Sequence, residues 1–142
     1  MKISISTDTL EGIGSKILSI LKDYEHELLL HGCFADQHNN KWAEASALVA
    51  QDVVKGHAHM GIVMCWTGTG ATIAANKIKG ARAALCHDAY TAAGAKKWND
   101  ANILALSVRM VSEPLLKEIL DAWFTNQNDG SQTEHLNYLT SI

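Results

Sequence analysis

Cys65 has the surroundings expected of a reactive residue. It ends the apolar run Ile62-Val63-Met64 and is followed by Trp66-Thr67-Gly68-Thr69-Gly70, after which Ala71 to Lys77 are good helix formers. A strand that breaks into a glycine turn and then a helix brings unpaired N–H groups and the positive end of the helix dipole beside the thiol. Such a junction holds an anion or a developing negative charge, and it favours the thiolate. Glycine at 68 and 70 lets backbone approach a ligand closely. The plainer alternative is a buried thiol acting as a small hydrophobe beside a tight turn, as most free cysteines do. Three further residues could join Cys65. Asp8 is either a ligand-binding carboxylate or an N-cap for the first helix. Thr67 has its hydroxyl where helix N-terminal donors converge, or is only a turn residue. Arg109 follows a short apolar stretch.

The elements that must position these residues alternate along the chain. Lys2 to Thr7 predicts a first strand. A glycine-containing lead-in at Gly12, Gly14 and Ser15 comes next, then a helix with Ile17, Leu18, Ile20 and Leu21 on one face. Glu27 to His31 is the second strand, and Gly32 to Lys41 a polar loop long enough to cover a site. Ala43 to Val54 is the second helix, and the Cys65 stretch supplies the third strand and helix. A fourth strand is expected over Ala81–Cys86, with His87 and Asp88 at its end and a helix running on through Lys97. A fifth strand spans Ala101–Ser107. Ser112-Glu113-Pro114 then gives the N-cap and first-turn proline of a helix over Leu115–Phe124. Trp123 fits core packing there, while Trp42, Trp66 and Trp98 fall near loop or helix ends, where interface roles are possible readings. This alternation predicts an α/β fold: a three-layer α/β/α sandwich with a five-stranded parallel Rossmann-like sheet. In such folds sites form at the carboxyl ends of strands, so Asp8, Cys65 and its loop, His87, Asp88 and Arg109 should share one edge.

The 142 residues predict one domain, with 125–142 a tail whose Leu136, Tyr138 and Leu139 could dock on a partner subunit. A net charge of −3 with two arginines argues against a nucleic-acid binder. No apolar run is long enough for a membrane span and no signal-peptide core opens the chain, so a cytoplasmic location is expected. Cys33, Cys65 and Cys86 lack metal-like spacing and read as reduced thiols, with Cys33 and Cys86 in the core.

The run from Cys65 through Cys86 (CWTGTGATIAANKIKGARAALC) resembles the signature of the ribose-5-phosphate isomerase B and galactose-6-phosphate isomerase family. Trp98-Asn99-Asp100 through Arg109, and Asp121-Ala122-Trp123, continue it in nearly one register. The resemblance implies a homodimer, or a dimer of dimers, with sites at the subunit interface. It also implies cofactor-free and metal-free aldose–ketose isomerisation of a sugar or sugar phosphate through a cis-enediol. On its terms Cys65 is the base that moves the proton between C1 and C2. Thr67, Gly68, Thr69 and Gly70 form the loop holding the oxyanion, and Asn99 supports that charge. Asp8 binds sugar hydroxyls, and Arg109 contacts the phosphate.

This chain departs from the family pattern in several places. Thr9 replaces a histidine, Trp66 a glycine, and Trp98 the histidine usually assigned to ring opening. The tail arginines that grip phosphate fall near Gln132 and Leu136, and no arginine follows Arg109. Ribose 5-phosphate is therefore the nominal substrate, with a different sugar, unphosphorylated or shorter, expected to be preferred. The alternative is a non-catalytic sugar- or anion-binding paralogue. Thiol redox chemistry is a weaker third reading, since no resolving cysteine lies nearby in sequence.

Overall fold

The computed structural model describes residues 1–142. Five strands, β1 (Lys2–Thr7), β2 (Glu27–Gly32), β3 (Met60–Cys65), β4 (Ala83–Leu85) and β5 (Ile103–Ser107), form one all-parallel sheet in the order β2-β1-β3-β5-β4. The helices are α1 (Ile17–Asp23), α2 (Trp42–Val54), α3 (Thr69–Asn76), α4 (Ala89–Asn99), α5 (Glu113–Thr125) and α6 (Thr133–Ser141), with a 3₁₀ turn at Gly12–Ser15. The α/β sandwich expected from the alternation is what the chain adopts.

The two faces of the sheet bury different sets. β3 is buried at every position, as a central parallel strand must be. Ile62 and Met64 point to the larger core, with Ile17 and Leu21 of α1, Ala92 and Ala95 of α4, and Leu116, Ile119, Leu120 and Trp123 of α5. Val63 and Cys65 point to the smaller core, against Val49 and Ala50 of α2 and Ala71 and Ala75 of α3. Alternation along β3 therefore aims the Cys65 side chain at the α2/α3 side. Trp123 is fully buried, with its indole N–H directed at the Met60 sulfur, 3.3 Å away.

The strand order also locates a crevice. From β1 the chain moves outward to β2, then crosses back to lay β3 on the other side of β1. The connections leaving β1 and β3 thus run in opposite directions, and a cleft opens between their carboxyl ends. Asp8 follows β1 and Cys65 closes β3.

Two local expectations change. β4 is shorter than the predicted Ala81–Cys86 because side chains replace ladder bonds at its start. Arg82 N–H donates to Asn102 Oδ1 at 2.7 Å, and the Asn76 amide brackets Ala83 on the outer edge at 2.8 and 2.9 Å. Asp8 is not a helix N-cap: Glu11 and Lys16 occupy the cap positions of the first two helical segments, and neither makes a side-chain cap bond.

Candidate active site

Cys65 is 5% exposed, at the last position of β3. The β3–β5 ladder does not stop with the strands. Val108 N–H donates to the Cys65 carbonyl at 3.1 Å, and Arg109 N–H to the Trp66 carbonyl at 2.9 Å. The Ser107 hydroxyl adds a second bond to Trp66 O at 3.0 Å. The loop that carries the thiol is thereby fixed to the end of β5, and the base of Arg109 is fixed with it.

Gly68 N–H returns to Cys65 O at 3.2 Å, and Gly68 is the N-cap of α3 with φ +78°. A Cβ there would stand 2.9 Å from the Leu106 backbone, so conformation and space both require glycine. The turn directs the first amides of α3 into the cleft, where they lack intrahelical acceptors. The Thr67 and Thr69 hydroxyls are 2.8 Å apart on its rim.

Asp8 faces this loop from the end of β1. Its Oδ1 is buried and has no hydrogen-bond partner. Burial raises its pKa above the ordinary carboxylate value, and the backbone amide of Trp66 only partly opposes that. A desolvated carboxylate with an unused oxygen is poised to accept a ligand's hydroxyl. Beside it lies a cavity of about 460 Å³ lined by Asp8, Thr9, Leu10, Cys33, Gln37, His38 and Asn40, within the size range of small-molecule sites. The polar loop after β2 therefore does form a wall of the cleft.

Trp42, the first residue of α2, adds a feature that sequence reasoning had left as an interface candidate. Its indole lies on Gly70, where a Cβ would come within 2.9 Å of the ring. Trp42 and Trp66 remain 44% and 47% exposed, giving the rim two open aromatic surfaces. The usable signal was a tryptophan at a helix start directly after the polar loop.

The structure brings together Asp8, Thr9, Cys65, Trp66, Thr67, Gly68, Thr69, Gly70 and Arg109, and it keeps Trp98 and Asn99 apart from them. α4 starts at the carboxyl edge and runs back, and its 11 residues carry Asn99 about 16 Å along the axis. Asn99 lines a different cavity, about 780 Å³, at the amino end of β4 with Asn76, Arg82 and Ala101. Trp98 folds back over Gly94 and meets Tyr90 edge-on at 5.9 Å. Within one chain, then, neither residue reaches Cys65, because the helix connecting β4 to β5 must return to the opposite edge.

Asp88 is spent on structure, accepting from Thr91 N–H at 2.7 Å as the N-cap of α4. Cys33 and Cys86 are buried, as expected, and burial pushes the Cys86 thiol up to about 12.

A parallel α/β sheet with a thiol, a glycine turn and a carboxylate following neighbouring strands at its switch point defines an α/β protein of the kind that binds small ligands there. The family model for Ribose/Galactose Isomerase matches residues 3–142, and the chain belongs to that family. Ribose-5-phosphate isomerase B of Escherichia coli is 34% identical over 117 residues, 82% of this chain and 78% of that protein. D-erythrulose-4-phosphate isomerase of Pectobacterium atrosepticum is 39% identical over 92 residues, 65% of this chain and 60% of that one. Among solved structures, ribose-5-phosphate isomerase B of Clostridium thermocellum superposes with a TM-score of 0.90 at 34% identity, covering 100% of this chain and 97% of that one. The chain is accordingly a member of a sugar phosphate isomerase family, whose relatives act on more than one sugar.

Proposed function

We propose that the protein is an aldose–ketose isomerase working through a cis-enediol, with Cys65 as the base. The thiolate takes the proton from the carbon next to the carbonyl, the electron pair moves into the carbonyl, and the oxyanion meets the donors of the Thr67–Gly70 turn. The hydroxyl proton on O2 passes to O1, and the thiol returns its proton to C1 as C2 becomes the carbonyl, which completes the exchange of aldehyde and ketone. Asp8 accepts a substrate hydroxyl through its free oxygen. The observation that supports this reading is that Cys65 and the α3 amino end follow β3 while the unpartnered Asp8 Oδ1 follows β1, the adjacent parallel strand.

Arg109, exposed just past β5 with its guanidinium on the Met110 sulfur at 3.6 Å, is the cation offered to a phosphate, and the indoles of Trp42 and Trp66 are exposed nearby. This supports ribose 5-phosphate as the nominal substrate and a sugar less dependent on a phosphate clamp, unphosphorylated or shorter, as the preferred one. Kinetics on ribose 5-phosphate beside a panel of free and four-carbon sugars check it; efficient turnover of ribose 5-phosphate alone refutes the shifted preference.

Trp98 and Asn99 belong to this reading only through a homodimer, in which a second chain delivers them to the cleft. Their distance from Cys65 within one chain is also what favours the second reading, a binding paralogue without turnover. Cys65→Ser separates the two. The isomerase reading expects deuterium from solvent to enter the substrate with the native protein and to stop with the variant, while circular dichroism stays native. Native protein that binds sugar without exchange leaves only the binder.

A further inference from the structure

We infer that His38 is the acid–base group that opens the cyclic form of the sugar, an inference that rests on the isomerase reading. Only an open-chain aldose has the carbonyl that proton transfer at C2 requires, whereas five-carbon aldose phosphates exist mainly as rings. A site that accepts the ring must therefore move a proton from the anomeric hydroxyl to the ring oxygen.

The cavity beside Asp8 has the equipment. His38 is the imidazole in its lining, and its ring makes no hydrogen bond within the chain. Gln37 and Asn40, also in the lining, have side-chain amides free of protein partners. The loop that carries them is nonetheless held in shape. His38 N–H donates to Asp36 Oδ1 at 3.0 Å, Asn39 N–H to Asp36 O at 2.8 Å, and the Cys33 thiol to Asn39 O at 3.3 Å. Its backbone is thus fixed by bonds that leave the imidazole unspent. Asp8, with its buried, unpartnered oxygen, lines the same cavity. An imidazole has one ring nitrogen to take a proton and another to give one.

The step balances on the substrate itself. His38 removes the anomeric O–H proton, the electron pair left on that oxygen forms the C1 carbonyl, and the bond from C1 to the ring oxygen breaks with its pair going to that oxygen. The ring oxygen then takes the proton from the imidazolium. The open aldehyde forms beside Asp8 at the end of β1, the strand paired with the β3 strand that carries Cys65.

The test compares a sugar that must be opened with one that cannot close. Ribose 5-phosphate is cyclic; erythrose 4-phosphate has its O4 blocked and forms no five-membered ring. With His38→Gln, kcat on ribose 5-phosphate should fall at least tenfold while kcat on erythrose 4-phosphate stays within twofold. Solvent-deuterium exchange into ribulose 5-phosphate, which is also acyclic, should be unchanged. Equal losses on both aldoses, no loss on ribose 5-phosphate, or native turnover confined to erythrose 4-phosphate each overturn the role of His38. A native protein that neither turns over these sugars nor exchanges the proton of ribulose 5-phosphate ends the isomerase reading itself, and that outcome is distinct from the other three.

Discussion

Asp8 carries an energetic cost in the free protein, and the sign of that cost is testable. Because burial raises its folded pKa, its contribution to stability is full below the unfolded value and declines as pH rises through the folded one. Asp8→Asn should therefore raise Tm at pH 7 by about 2 °C, on the order of 0.5 kcal/mol once discounted for the solvent that still reaches the group. The gain should vanish in scans near pH 3. A Tm equal to or lower than native at pH 7 contradicts it. Gly68 is the opposite case. Gly68→Ala forces a side chain into left-handed backbone against Leu106 and should destabilise by roughly 2 kcal/mol, visible as a lower urea midpoint with unchanged slope.

The elements were legible from the sequence where periodicity and caps agreed. Ser112 and Pro114 open α5 as read, with Ser112 accepting from Leu115 N–H at 3.3 Å, and the apolar run to Cys65 is β3. β4 was overextended because Arg82, Asn102 and Asn76 satisfy its backbone with side chains, which periodicity cannot register. The site was half legible: Asp8, Cys65 and Arg109 follow from strand ends, whereas the position of Trp42 at a helix start marks it as notable but not its tertiary partner, Gly70. The motif's order along the chain does not reveal that α4 reverses direction, so the distance of Asn99 from Cys65 within one chain is not legible in it. One element contact was invisible in sequence. Asp52 of α2 accepts from Ser4 of β1 at 2.8 Å and pairs with His31 of β2 at 2.7 Å. Burial pushes the Asp52 carboxyl up, but the His31, Ser4 and His57 bonds prevail and hold it below its usual value. Its stabilisation is therefore present above the unfolded pKa and lost as pH falls through the folded one. Asp52→Asn should cost about 1 kcal/mol at pH 6 by chemical denaturation, with the gap to native closing below pH 4; a gap independent of pH refutes the assignment.

At the scale of the molecule, α6 is the outlying part. None of its residues is buried, and Tyr138, Leu139 and Ile142 are exposed. Together with Trp98 and Asn99 at the far edge from Cys65, this agrees with the proposed homodimer, in which apolar surface left open on one chain is covered by another. Removal of residues 133–142 should convert a dimer into a monomer in sedimentation velocity and reduce turnover at least tenfold. A native chain that sediments as a monomer at micromolar concentration excludes the shared site.

The four indoles are distributed so that between them they report three different events. Trp123 is enclosed by the larger core, Trp42 and Trp66 frame the cleft, and Trp98 sits on the outer surface of α4. Replacing three of them at a time with phenylalanine would leave single emitters. Trp123 would mark unfolding, Trp66 or Trp42 the arrival of a sugar, and Trp98 the meeting of two chains. The protein carries its own spectroscopic labels for folding and for the proposed ligation and association, and the order of these events can be timed by stopped-flow fluorescence.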